Sequence, residues 1–243
     1  MCARISIMIK HAAGARADGM QQASHVSRWQ VCYSFGVDTA RIAELLAPYS
    51  GEASAPSMEQ LVYISTYVNL LLKWNARTNL TGIRSAEEIV ERHFGESWFA
   101  ARHLLPHTST STVIDVGSGA GFPGMVLKIF APAIHLTLVE SQNKKATFLK
   151  EAVRQVELSG VEVLGVRAET LGRQAELVTL RAVERFEQII STAARLVTPG
   201  GQLALLIGGS QIDLAKQLVA GDWGAPIAVP NSSSRVLVVC SRD

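Results

Sequence analysis

The stretch with the richest chemistry is TVIDVGSGAGFPG, Thr112 to Gly124. An apolar run climbs to a carboxylate, Asp115, and Gly117, Gly119, Gly121 and Gly124 follow it. Glycines at that density let the chain turn sharply and let a ligand approach bare backbone. Pro123 has its φ preset for the first turn of a following helix. A strand, a glycine loop and a helix in that order make a ligand site outside the carboxyl end of a parallel sheet.

Two cofactor classes use such a loop. Gly119-x-Gly121-x-x-Gly124 satisfies the dinucleotide fingerprint, and Glu140 stands about twenty residues on. Asp115 argues against that reading, because a carboxylate at the strand lip repels a pyrophosphate over the helix start. The ammonium of S-adenosyl-L-methionine is favoured there instead. Asp115-x-Gly117-x-Gly119-x-Gly121 is the methyltransferase form of the loop, so this cofactor is expected, with a nicotinamide-dependent oxidoreductase as the alternative. Glu140 ends the next apolar run, HLTLVE, where a carboxylate can accept both hydroxyls of a ribose. The plainer alternative is a solvated acid, or a cap for the helix that starts near Lys144. In RAET, Ala168 is small enough to pass an adenine ring and Glu169 can face the same pocket.

The elements that must position these residues fall into three stretches. Residues 1–36 mix Gly, Ala, Ser and basic residues without period, and are expected to be a dispensable, loosely ordered extension. Residues 37–108 read as a helical subdomain. DTARIAELL opens with an Asp-Thr start signal. Ser57 and Gln60 form a capping box ahead of a stripe through Met58, Leu61, Val62, Val68, Leu71 and Leu72. Ser85 caps a further helix with Glu87 and Glu88 in its first turn. Residues 109–243 alternate β-rich runs with helical segments, which predicts an α/β open sheet, mostly parallel and covered on both faces. VPNSSSR is too short for a crossover helix, so the runs near Ile227 and Val236 to Cys240 should pair antiparallel. A parallel sheet closed that way is the seven-stranded, Rossmann-like layout of class I methyltransferases.

Composition excludes several classes. The 243 residues are 48% hydrophobic and 18% charged, a globular profile. The net charge is +2, with +3 in the first 36 residues and about −1 in the rest, so bulk charge gives no nucleic-acid signature. No DNA partner is expected. No apolar run is long enough for a membrane span. Cys2, Cys32 and Cys240 are scattered, with no metal-ligand spacing, which points to a reducing, cytoplasmic setting and no metal.

WNARTNLTGIRSAEEIVERHFGES, then VIDVGSGAGFPG, LVESQNKKATFLKE, RAE and TLRAV, resembles the bacterial small-subunit ribosomal RNA guanine-N7 methyltransferases, the glucose-inhibited division protein B family. The most specific part is Trp74-Asn75, Asn79-Leu80-Thr81 and Arg92-His93 ahead of the glycine loop. The resemblance implies methyl transfer from S-adenosyl-L-methionine to N7 of a guanine in 16S ribosomal RNA, on naked RNA or the small subunit. It puts cofactor contacts on Gly117, Phe122, Ala168, Glu169 and Arg181. Arg181 lies just past a strand end, and its plainer role is a surface ion pair with Glu184. Asn79, Arg92 and His93 become possible contacts to RNA or the active-site wall, and Lys144, Lys145 and Arg84 possible contacts to phosphate. N7 carries no proton in neutral guanine, so no catalytic base is expected and the work is positioning. A monomer is expected. Leu180 stands where the family has a serine and Ile207 near a family lysine, which keeps open an inactive ribosome-binding protein of the same fold.

Overall fold

Five parallel strands form the centre of one twisted sheet: β1 (Thr112–Val116), β2 (His135–Val139), β3 (Val161–Leu164), β4 (Ala175–Arg181) and β5 (Val197–Gly208). The structure is a computed structural model and describes residues 37–106, 109–181 and 186–242. The expected extension at 1–36 lies outside them. Two short strands, β6 (Asp222–Trp223) and β7 (Ile227–Ala228), and the longer β8 (Arg235–Ser241) complete the sheet in the order β3-β2-β1-β4-β5-β8-β6, with β7 also on β8. β8 runs antiparallel to β5. β6 and β7 both pair antiparallel with β8 and divide its outer edge, so the expected single edge strand is two short pieces.

The sheet separates two apolar layers, because successive side chains on a strand face opposite ways. Ile114, Val116, Val178, Leu180, Leu205 and Ile207 face α7 (Phe186–Arg195) and α8 (Ile212–Leu218). Val113, Leu136, Leu138, Leu177 and Leu206 face the other layer, which holds α5 (Gly124–Phe130), α6 (Asn143–Gln155) and the helices before the sheet. With both faces covered, the strands need few polar residues.

Those earlier helices are α1 (Thr39–Ser50), α2 (Met58–Thr78), α3 (Ala86–Ile89) and α4 (Glu96–Leu104). Asp38 caps α1 by accepting from the Arg41 amide, and Ser57 with Gln60 forms the reciprocal box at α2. The Ser85 hydroxyl accepts from the Glu88 amide. The stripe on α2 differs from the expected one. Met58 is 67% exposed, whereas Leu61, Ile64, Tyr67, Val68 and Leu71 are buried. A residue in the first turn overhangs the helix end and need not face the core.

The chain from α3 to α4 is continuous, but Val90–Gly95 winds as a π-helical turn. The wider turn shifts the phase of the helix, and π turns of this kind concentrate at functional sites. This one carries Arg92 and His93.

Candidate functional site

A cleft of about 540 Å³ opens at the carboxyl ends of β1, β2 and β4. Gly117, Gly119 and Phe122 from the glycine loop, Glu140, Ala168, Glu169 and Arg181 line it, and the helical segment adds Thr81 and His93. That volume is in the range that holds a nucleoside-sized ligand. A second cavity of about 420 Å³ lies at the amino ends of the strands, beside His135, Glu162 and Arg173. Open α/β sheets take their ligands at the carboxyl ends.

The helical segment moulds the glycine loop. Tyr67, fully buried on α2, donates its hydroxyl to the Ala120 carbonyl and stacks on Phe122 at 5.6 Å. Burial and the charge of Asp115 push the Tyr67 phenol well up, so it stays a donor. Gly121 has φ +88, and a Cβ there would overlap the Tyr67 hydroxyl. Gly119, at φ +57, has only the Gly117 carbonyl, 3.8 Å away, near its would-be Cβ, so its backbone is open on the cleft side.

Asp115 does not line the cleft. It is fully buried beneath the loop, where Oδ1 accepts from the Thr179 hydroxyl at 2.8 Å and Oδ2 from the Gly124 amide at 3.3 Å. Asp115 is the last residue but one of β1 and its side chain is held beneath the loop, so it supports the loop where a contact with a ligand ammonium was expected. The Gly124 amide belongs to the first turn of α5, so the donor that a pyrophosphate would use is already engaged.

Burial pushes the Asp115 carboxyl up to about 6, against the pull of its hydrogen bonds from Thr179, Ser118 and Gly124. A raised folded pKa means stability that is fully present below the unfolded value of 3.8 and is lost as pH rises through 6. Asp115→Asn cannot titrate. Its stability relative to wild type should therefore improve between pH 4 and pH 7, by about 2 kcal/mol from a shift of this size. Melting curves of both proteins at several pH values check this, and a constant difference would contradict it.

Glu140 is 5% exposed. Its Oε2 accepts from the Gly119 amide at 2.9 Å and its Oε1 from the Gln142 amide at 2.7 Å. A carboxylate oxygen can accept more than one hydrogen bond, so both retain room for hydroxyls. Ala168 is buried and Glu169 exposed at the start of a single 3₁₀ turn, Ala168–Thr170.

Arg181 is not on the surface, and the ion-pair partner expected for it, Glu184, lies outside the described residues. The Arg181 side chain is 8% exposed and points from the end of β4 into the helical layer. Nη2 donates to Glu96 Oε2 at 2.7 Å and to the Arg92 carbonyl at 2.8 Å, and Nη1 donates to His93 Nδ1 at 3.2 Å. Burial lowers the Arg181 guanidinium's pKa and Glu96 opposes that shift. Arg92 and Arg235 also approach the Glu96 carboxylate, at 3.7 and 3.8 Å. Burial, followed by the charges of Arg181, Arg92 and Arg235, pushes His93 down to about 3, so its ring is neutral near pH 7. The ring stacks on Phe122 at 4.9 Å.

Asn79 and Arg92 do not line the cleft. Asn79 ends α2 in the left-handed region at φ 51, and its Oδ1 accepts from Arg84 at 2.6 Å. The Arg92 side chain is half exposed. Lys145 lines the cleft and Lys144 is exposed. Leu180 and Ile207 are buried on the α7 and α8 side of the sheet, away from the cleft. Sequence reasoning missed Glu96 and Tyr67. The signal for Glu96 was there: a lone acid inside FGESWFAA, an otherwise apolar helical run, must be buried and paired.

The family model for rRNA small subunit methyltransferase G (GidB) matches residues 60–220. A ribosomal RNA small subunit methyltransferase G from Chloroflexus aggregans is 36% identical over 200 residues, 76% of this chain and 83% of the relative. One of the same name from Roseiflexus castenholzii is 40% identical over 195 residues, 74% and 82% of the two chains. Among solved structures, a ribosomal protein L11 methylase from Lactobacillus delbrueckii subsp. bulgaricus superimposes with a TM-score of 0.53 at 12% identity, covering 63% of this chain and 80% of that one, which shows a shared fold. With its glycine loop, acidic strand end and helical cover in this arrangement, the chain belongs to the rRNA small subunit methyltransferase G (GidB) family.

Proposed function

We propose that this protein transfers a methyl group from S-adenosyl-L-methionine to N7 of a guanine in the 16S ribosomal RNA of the small ribosomal subunit. The observation that carries this reading is the two-sided cleft. One wall is an open glycine backbone with Glu140 beside it, and the other is Thr81, His93 and Arg181.

The residues present fit the cofactor. Gly119 leaves space for close approach, Glu140 offers acceptors to a ribose, and the small Ala168 faces the room an adenine needs. When bound, S-adenosyl-L-methionine supplies an electrophilic methyl group on a positively charged sulfur. The protein's part is to hold the base edge in line with that methyl group and to exclude water. His93 has both ring nitrogens engaged, by Arg181 and by Thr81, so it is a wall and not a base. That suits a nucleophile with no proton to lose. In paired RNA the N7 edge lies in a groove too narrow to read, so the target base must be unpaired or splayed out.

Glu140→Ala should weaken binding of S-adenosyl-L-homocysteine by about 1–3 kcal/mol, the worth of charge-assisted hydrogen bonds. It also strips the Gly119 and Gln142 amides of their acceptor. Titration calorimetry checks this, and unchanged affinity would remove Glu140 from the site. The reaction itself is tested with tritiated cofactor and small subunits from a strain lacking the activity, followed by nucleoside analysis. Label should reside in N7-methylguanine. Label in protein, or at another base position, would contradict the reading.

A further inference from the structure

Thr81 lies in the short connection between α2 and α3, and its hydroxyl is one of the polar groups in the cleft wall. The segment is clamped by the buried Asn75, whose Oδ1 accepts from the Thr81 amide at 2.9 Å and whose Nδ2 donates to the Ile83 carbonyl at 3.0 Å. A guanidinium donates and never accepts, so His93 Nδ1, 3.2 Å from Arg181 Nη1, is an acceptor. The ring is neutral, so its one proton is on Nε2. Nε2 is 2.8 Å from Thr81 Oγ1 and must donate to it. The Ile83 amide donates to the same oxygen at 3.3 Å. Both lone pairs of the hydroxyl are then engaged. Its proton is left, and toward the cleft Thr81 can act only as a donor.

We propose that Thr81 determines base specificity by donating this hydrogen bond to O6 of the target guanine. The inference rests on the proposed transfer to guanine N7. O6 adjoins N7 on the same edge of the purine, and adenine carries an amino donor in its place. Two donors facing each other disfavour adenine, while guanine is both held and turned with N7 toward the methyl group. Arg181 and His93 act behind Thr81 as positioning residues: they fix the direction of its proton without touching the base.

The test uses small subunits reconstituted with 16S RNA carrying either guanine or 2-aminopurine, which lacks O6 but keeps N7, at the position that the wild-type enzyme labels. Single-turnover rates are measured for wild type, Thr81→Val and Thr81→Ser. Comparing proteins on one base cancels the intrinsic nucleophilicity of that base. Thr81→Val should be about tenfold slower than wild type on guanine, the worth of one hydrogen bond in a rate. On 2-aminopurine the two should react alike, and Thr81→Ser should recover the guanine rate. S-adenosyl-L-homocysteine should bind Thr81→Val as it binds wild type. An equal loss on both bases, or no loss on guanine, would overturn the role of Thr81 while the functional reading stands. Failure of wild type to label any guanine N7 would overturn both.

Discussion

Gly121→Ala is expected to destabilise the protein by about 3–5 kcal/mol, combining overpacking with the strain of a left-handed alanine. At φ +88 the backbone already disfavours any side chain. The added methyl would overlap the Tyr67 hydroxyl and sit 2.8 Å from Met125 Cγ and 3.1 Å from Leu149 Cδ2. None of these can retreat: Tyr67, Met125 and Leu149 are all fully buried. Adding Tyr67→Phe should return part of the loss, since the phenol oxygen is the worst obstacle, although the Ala120 carbonyl then loses its donor. The two changes should therefore couple, as neighbours do. Gly172→Ala is the control. It has nothing within 4 Å of its would-be Cβ and an ordinary φ, so its effect should stay within about 0.5 kcal/mol. Urea unfolding curves of Gly121→Ala, Tyr67→Phe, the double variant and Gly172→Ala decide the matter. A mild Gly121→Ala would mean that the contact between α2 and the loop is not what shapes the site.

Glu96→Gln is expected to cost about 3–5 kcal/mol, because it leaves the buried Arg181 without its counter-charge. Arg92 and Arg235 then crowd the same spot with no carboxylate between them. Replacing the pair together, by Glu96→Leu with Arg181→Met, should recover most of the stability, since an apolar pair of similar volume often substitutes well for a buried ion pair. Activity should not return with it, because His93 then loses the donor that fixes its tautomer. Arg181→Lys divides the two effects differently. An ammonium keeps the charge for Glu96 but is one point, not a fork, and cannot also serve the Arg92 carbonyl and His93 Nδ1. It should lower turnover more than it lowers the melting temperature. Equal losses in both would show that Arg181 is only a strut.

Much of the fold was legible because its signals are local. Strand and helix alternate at their own periods after Thr112, and Asp38, Ser57 and Ser85 cap the helices they precede. The glycine loop and Glu140 were legible for the same reason: spacing along one strand–loop–helix unit fixes their position in space. Residues whose role depends on distant partners were not. Asp115 was expected at the ligand, yet its partner is Thr179 on the neighbouring strand, 64 positions on, and no local pattern reports that pairing. Arg181 and Glu96 meet across 85 positions. The π-helical turn at Val90–Gly95, which carries His93 on the cleft wall, has no sequence period to announce it. Leu180 and Ile207, read as departures from the family pattern, prove to be core residues, because each faces the layer of α7 and α8.

Under the proposed function, one guanine of 16S RNA receives a methyl group at N7 through this cleft. The most direct measurement compares 16S RNA from cells with the gene intact, with it deleted, and with the deletion complemented by wild type or by Glu140→Ala. N7-methylguanine is mapped by mass spectrometry of nuclease fragments. One N7-methylguanine should disappear on deletion, return with wild type and return poorly with Glu140→Ala. An unchanged N7-methylguanine map in the deletion strain would contradict the proposed function.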